Sequence, residues 1–322
     1  MPISRSSKGY LVALVSAVFL STTSIFIRHL ITNYSIPPLV LACLRNVVVI
    51  TTLIPIMAIV RPRLLAPGWK NIRFLAVYGL MLAGFNGLWT LSVACNGAAV
   101  ATVMVYCSPA YTVILGWKFL GEGLGCAKFG AVAMCLIGCT LISGALDPAV
   151  WQTNLLGVVV GLLTGLCYTA YSLMGREASQ RGISPWTTLL YIFGFAAFYL
   201  FLANQTGGAL PGSGKNLSEM LWLGTHTEAW IVLILLGAIP TVAGYGFYNV
   251  SLCLLDASIA NIIVSLEPAF TALFAYVVLG EVMTPVQLFG SALLLAGVGM
   301  IKLGDLRRAP RIEIPDACAS TN

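Results

Sequence analysis

Charge is scarce in this 322-residue sequence: Asp, Glu, Lys and Arg together make up only 9% of it. A soluble domain carries about 25%, so this chain cannot cover a water-facing surface with polar groups. Histidine is nearly absent, with only His29 and His226. Nine cysteines stand singly, mostly inside apolar runs, with no C-x-x-C pair. That excludes a zinc site and argues against a disulfide framework, leaving cysteine as a small, polarizable packing residue. No phosphate loop of the G-x-x-x-x-G-K-S/T type is present, so ATP-driven transport by this chain is not expected. Paired acids, H-E-x-x-H and a Ser/His constellation are missing too, which removes the intramembrane hydrolases; the chain reads as no enzyme and needs no cofactor or metal. No basic stripe interleaved with aromatics appears, and a nucleic-acid partner is excluded with it.

What fills the sequence is apolar: 59% hydrophobic residues and a mean hydropathy of +0.93. A bilayer span needs about 20 predominantly apolar residues. Ten such runs can be read, roughly 9–30, 37–60, 73–94, 99–120, 125–144, 154–175, 185–204, 229–252, 258–279 and 284–304. The first has the basic start of a secretory signal but runs too long and reads as a retained span. With a cytoplasmic N-terminus, 14 of the 17 Lys and Arg fall on cytoplasmic segments; the exceptions are Arg28, Lys215 and Arg45. The lysine and arginine bias therefore predicts both termini inside and explains the net charge of +6. A Gly-rich loop joins helices 7 and 8, and two sequons, at Asn204 and Asn216, fall on that outer side.

The chain also repeats itself. "VYCSPAYTVILGWKFLGE" (105–122) matches "VSLEPAFTALFAYVVLGE" (264–281) at an offset of 159, with identities at Val, Pro, Ala, Thr and the closing Leu-Gly-Glu. A second register, at 148, pairs Gly9 with Gly157, Ser24 with Ser172, Arg28 with Arg176 and Pro37 with Pro185. Five helices per copy is an odd number, so the second copy enters the membrane upside down. Inverted repeats of this kind are the architecture of many secondary transporters. The expected organisation is an all-α integral membrane protein: repeat 9–144, repeat 154–304 and a cytoplasmic tail, 305–322.

The duplicated five-helix unit, "LRN" at 44–46, "SP" and "EP" at 108–109 and 267–268, and the two "LGE" endings together resemble the drug/metabolite transporter superfamily, of the ten-helix EamA type. The resemblance covers residues 9–304. It implies export or exchange of small metabolites, such as amino acids or related compounds, through a cavity between the halves.

Glu267 lies about 14 Å into helix 9, close to the middle of a roughly 30 Å core. An ionised acid there must face a cavity, pair with a cation or take up a proton. Pro268 and Pro109 deprive Val264 and Val105 of helical partners, which predicts a kinked helix pair at the midplane. One reading makes Glu267 the proton carrier or a substrate contact; the other is a structural kink with the acid satisfied locally. Arg45, the only basic residue well inside a span, is at comparable depth. It can pair with Glu267, directly or through a substrate carboxylate, or snorkel outward. Asn86, Trp89 and Thr90 lie in helix 3 and Tyr245, Tyr248 and Asn249 in helix 8; at the 159 offset Trp89 corresponds to Tyr248 and Thr90 to Asn249, so both copies place an aromatic beside a hydrogen-bonding residue at matched depth. With Tyr106, Tyr168, Tyr171 and Asn261 they make the mixed apolar and polar set that an amphipathic metabolite needs; singly, each is also an ordinary interhelical packing residue. "TVAGYG" (241–246) is not a channel filter, since Ala243 interrupts it and no pore loop surrounds it.

The expected function is secondary transport by alternating access in the plasma (inner) membrane, with a small-molecule substrate, the lipid bilayer and candidate protons as partners. A transport-inactive scaffold or sensor and a sugar-phosphate or nucleotide-sugar antiporter are the alternatives. The oligomeric state stays open.

Overall fold

A computed structural model describes residues 5–65, 68–148, 155–221, 223–279 and 284–306. The chain is built from α1 (Arg5–Tyr34), α2 (Pro38–Val60), α3 (Trp69–Val105), α4 (Ser108–Leu120), α5 (Cys126–Ile142), α6 (Leu155–Gln180), α7 (Pro185–Asn204), α8 (Thr227–Leu236), α9 (Val242–Leu254), α10 (Ala257–Val264), α11 (Glu267–Leu279) and α12 (Pro285–Leu306). Among the described residues, nine helical stretches are long and apolar enough to cross a membrane, and Cys126–Ile142 is a shorter tenth. The second repeat's "GE", at 280–281, and residues 307–322 of the expected tail lie outside the described residues, as does the side chain of Thr90.

The helical run of α3 spans 37 residues. Drawn straight it would be about 55 Å long, far beyond a roughly 30 Å hydrocarbon core. It is not straight. A Cβ on Gly161 of α6 would meet Met104 Sδ at 2.5 Å and also Ser92 Oγ at 2.9 Å. Twelve residues of straight helix would hold those two about 18 Å apart. Ser92 and Met104 therefore both lie against Gly161 of α6, and the run from Trp69 to Val105 is not one straight rod. In the second half α8 and α9 form one span joined by a π-helical segment, Gly237–Thr241, that absorbs Pro240.

Helix ends gather at two levels. At one, Thr187 and Tyr191 of α7 donate to the Leu64 and Leu65 carbonyls after α2, at 2.7 and 2.8 Å. There too Arg176 of α6 donates to the Leu252 and Cys253 carbonyls that end α9, and Gly9 of α1 sits against Leu255. This is the charged end. At the opposite end Asn204 donates to the Leu39 carbonyl at 3.1 Å, and Tyr34 stacks near His226. Asn204, the first sequon, is 3% exposed and committed to that bond. So α1 begins at the charged end whereas α6 finishes there. The packing pairs are α1 with α9, α3 with α6, α2 with α7, and α5 with α12.

Candidate functional site

Each proline motif lies at a two-residue interruption of the helical ladder inside one candidate span, Val103–Leu120 or Ala257–Phe274. α3 ends at Val105 and α4 starts at Ser108; α10 ends at Val264 and α11 starts at Glu267. The Ser265 and Leu266 amides fold back onto the Asn261 and Ile263 carbonyls, at 3.0 and 3.1 Å. Pro109 and Pro268 then occupy the second position of a fresh helix, where a missing N–H costs nothing. The sequence predicted kinked helices here; the structure puts a tight turn directly before each proline, at Tyr106–Cys107 and Ser265–Leu266.

Around these breaks the halves are tied by hydroxyls and one amide. Asn261 donates to Thr112 Oγ1 at 2.9 Å and to Ser172 Oγ at 3.4 Å, and accepts from Ser108 Oγ at 3.3 Å. Ser172 in turn bonds the Tyr248 hydroxyl at 2.7 Å. All of these residues are buried. Toward the charged end follows a wall of rings. Tyr171 packs 5.0 Å from Tyr78, and Tyr248 stacks 6.0 Å from both Tyr168 and Tyr171. Asn249 accepts from the Tyr78 and Tyr171 hydroxyls at 3.4 and 3.2 Å. Tyr78, Tyr171 and Tyr248 are fully buried. Tyr168, Tyr171, Tyr248 and Asn249 thus belong to a closed plug, although the sequence reading placed them around an open cavity.

Glu267 and Trp89 are half-buried, and the Tyr106 hydroxyl approaches the Glu267 carboxyl as its side-chain partner. Arg45 is 7% exposed, so it does not snorkel. Nor does it pair directly with Glu267, as one sequence reading allowed: its Nη2 donates to Asn86 Oδ1 at 2.7 Å, and no carboxylate comes within ion-pair distance among the described residues. Asn86 holds the guanidinium on the α3 side. Tyr245 lies within electrostatic reach of both Arg45 and Glu267.

Sequence reasoning missed one cluster entirely. Gly121 adopts the left-handed conformation, φ 66°, and ends α4 in a tight reversal in which the Glu122 amide bonds the Gly116 carbonyl at 3.2 Å. The Glu122 side chain is thereby folded under α4. Its carboxylate accepts from the Ala257 and Ser258 amides at 2.7 and 3.3 Å, capping α10 of the other half, and from the Ser258 hydroxyl. Lys128 of α5 closes the cluster, at 3.4 Å from Glu122, 3.2 Å from Asp256 and 2.7 Å from Ser258 Oγ. Burial, then the Asp256 charge, pushes Glu122 above the ordinary carboxylate value, against the pull of Lys128 and the Ser258 and Ala257 donors. The signal was the Leu-Gly-Glu ending, whose glycine supplies the reversal that aims the acid. Among the described residues no group of three His, Cys, Asp or Glu is placed to hold a metal.

The model of the EamA-like transporter family matches residues 7–144 and 155–303. The chain belongs to the EamA-like transporter family. This EamA-like protein is thus a multi-pass integral membrane transporter and not an enzyme. It is 24% identical to an uncharacterized transporter of Synechocystis, over 91% of this chain and 92% of that protein. It is also 24% identical to the threonine/homoserine exporter RhtA of Escherichia coli K12, over 70% of each chain. One solved crystal structure superposes with a TM-score of 0.74 at 17% identity, covering 95% of this chain and all of the other, which makes the fold a shared one.

Proposed function

We propose that this EamA-like transporter is a secondary transporter of a small metabolite, working by alternating access between two inverted five-helix repeats. The charged end is taken as cytoplasmic, as are both termini, in the plasma membrane. One observation carries the reading: matched helix breaks from the two halves meet in the middle of the bundle and put a half-buried acid there. The opposite directions of α1 and α6 support the inversion. So does the packing: α1 of the first half on α9 of the second is answered by α6 of the second half on α3 of the first, while α2–α7 and α5–α12 each answer themselves. Carboxylate, lysine and tyrosine plug close the charged end, so the structure represents a state shut on that side.

In this reading Glu267 carries the coupling proton, since an acid that can be neutral or ionised at mid-membrane depth is affordable in both forms only as the site opens and closes. The relative that exports threonine and homoserine points to amino acids or related compounds as cargo. A passive scaffold would have no use for an ionisable acid at the break. The test is transport in proteoliposomes, with candidates drawn from the media of overexpressing and deletion cells. Glu267→Gln should abolish uptake driven by a pH gradient yet leave substrate exchange intact. Unchanged gradient-driven uptake would remove Glu267 from the mechanism, and no difference in the media would favour the scaffold.

A further inference from the structure

Among the described residues the buried cations are Lys128 and Arg45, with Arg176 half-buried, and all but Arg45 have two or more acceptors. Lys128 has two carboxylates and a hydroxyl. Arg176 has two helix-terminal carbonyls. Arg45 is as buried as Lys128, yet among the described residues its one hydrogen bond is to a neutral amide oxygen, on Asn86. Its Nε is enclosed and has no acceptor. A lysine so placed could shed its proton, but a guanidinium cannot. A water can hydrate such a group without neutralising it. A permanent cation left unpaired at this depth is a standing cost, and it persists because something anionic visits.

We propose that Arg45 is the recognition point for a single carboxylate on the transported molecule, with Asn86 as the positioning residue that holds the guanidinium ready. This rests on the transporter reading above. Three features narrow the anion to a monovalent, planar one. The guanidinium fork matches a carboxylate with two parallel N–H···O bonds. Asn86 already occupies one terminal nitrogen from one side, which leaves Nε and the remaining N–H groups for the ligand. No second lysine or arginine joins Arg45 in an interaction among the described residues, as a phosphate dianion would require. Glu267 is not within ion-pair distance of Arg45 among the described residues, which leaves an anion pole at Arg45 and a proton pole at Glu267.

The test uses the full-length protein in nanodiscs, with the proteinogenic L-amino acids, simple monocarboxylates, and the matching carboxamides as probes, read by thermal shift and tryptophan fluorescence. At least one carboxylate should bind, and its amide should bind roughly 100-fold more weakly or not at all, because the amide brings no charge to the fork. Arg45→Gln should erase that discrimination, and Arg45→Lys should keep part of it. Asn86→Asp sharpens the case: it supplies a resident carboxylate beside Arg45, so carboxylate binding should be lost while the melting temperature holds or rises. Equal binding of acid and amide, carboxylate binding that survives Asn86→Asp, or no carboxylate bound by the wild type each overturns the proposal. Counterflow of any uncharged probe in the same preparation would keep the transporter reading while the carboxylate assignment falls. Binding without counterflow of any probe would do the reverse.

Discussion

At the charged end Lys128 meets Glu122, Asp256 and Ser258, whereas Arg45, equally buried, meets one neutral amide. Both are cations taken out of water, and the number of partners separates their purposes. A saturated cluster fixes two halves of the chain together. An unsaturated one is a binding surface waiting for its other half. The contrast extends to the aromatic groups nearby: the rings between the two levels are locked into one another, while Trp89 and Glu267 retain open surface.

The comparison breaks most visibly at Lys128. Lys128→Met leaves Glu122 and Asp256 facing each other with no cation, and removing one partner of a buried pair costs about 3–5 kcal/mol. Denaturation in detergent should register that loss, and an unchanged midpoint would show the cluster to be slack. Ser258→Ala removes one hydroxyl shared by the same cluster, and about 1 kcal/mol is expected from the same measurement. A smaller effect is expected from pH. Because Glu122 sits above its ordinary value, the folded protein holds that proton more tightly than the unfolded chain. Its contribution is fullest below the unfolded value of about 4.3 and is lost as pH rises through the folded one. Melting of the wild type relative to Glu122→Gln should therefore fall as pH rises above the unfolded carboxylate value, with Lys128 and Asp256 as the charges facing the acid; a flat difference would contradict the assigned direction. The smallest effect belongs to Arg45→Gln, which orphans no acid. Its stability should stay within about 1 kcal/mol of wild type, even as ligand discrimination disappears. A loss as large as that of Lys128→Met would place Arg45 among the structural cations after all.

Much of this was legible before any coordinates. Long apolar runs with few charges announce membrane helices because the bilayer demands them, and the prolines of "SP" and "EP" mark where the helical ladder is disturbed. The partnership of Arg45 with Asn86 was not legible, because it joins residues 41 apart on different helices. The plug was misplaced for a related reason. Tyr171 and Tyr248 carry hydroxyls that suit a cavity wall, but their rings find one another and close the space.

The sequence by itself determined the medium, the presence of nine or ten apolar membrane-length helices and the positions of the prolines, since each follows from local backbone chemistry or from the solvent the chain must satisfy. Tertiary structure alone decided which charges are paid off and which are left open. Pairing is a matter of a few ångströms between distant segments, and a one-dimensional pattern does not carry that distance.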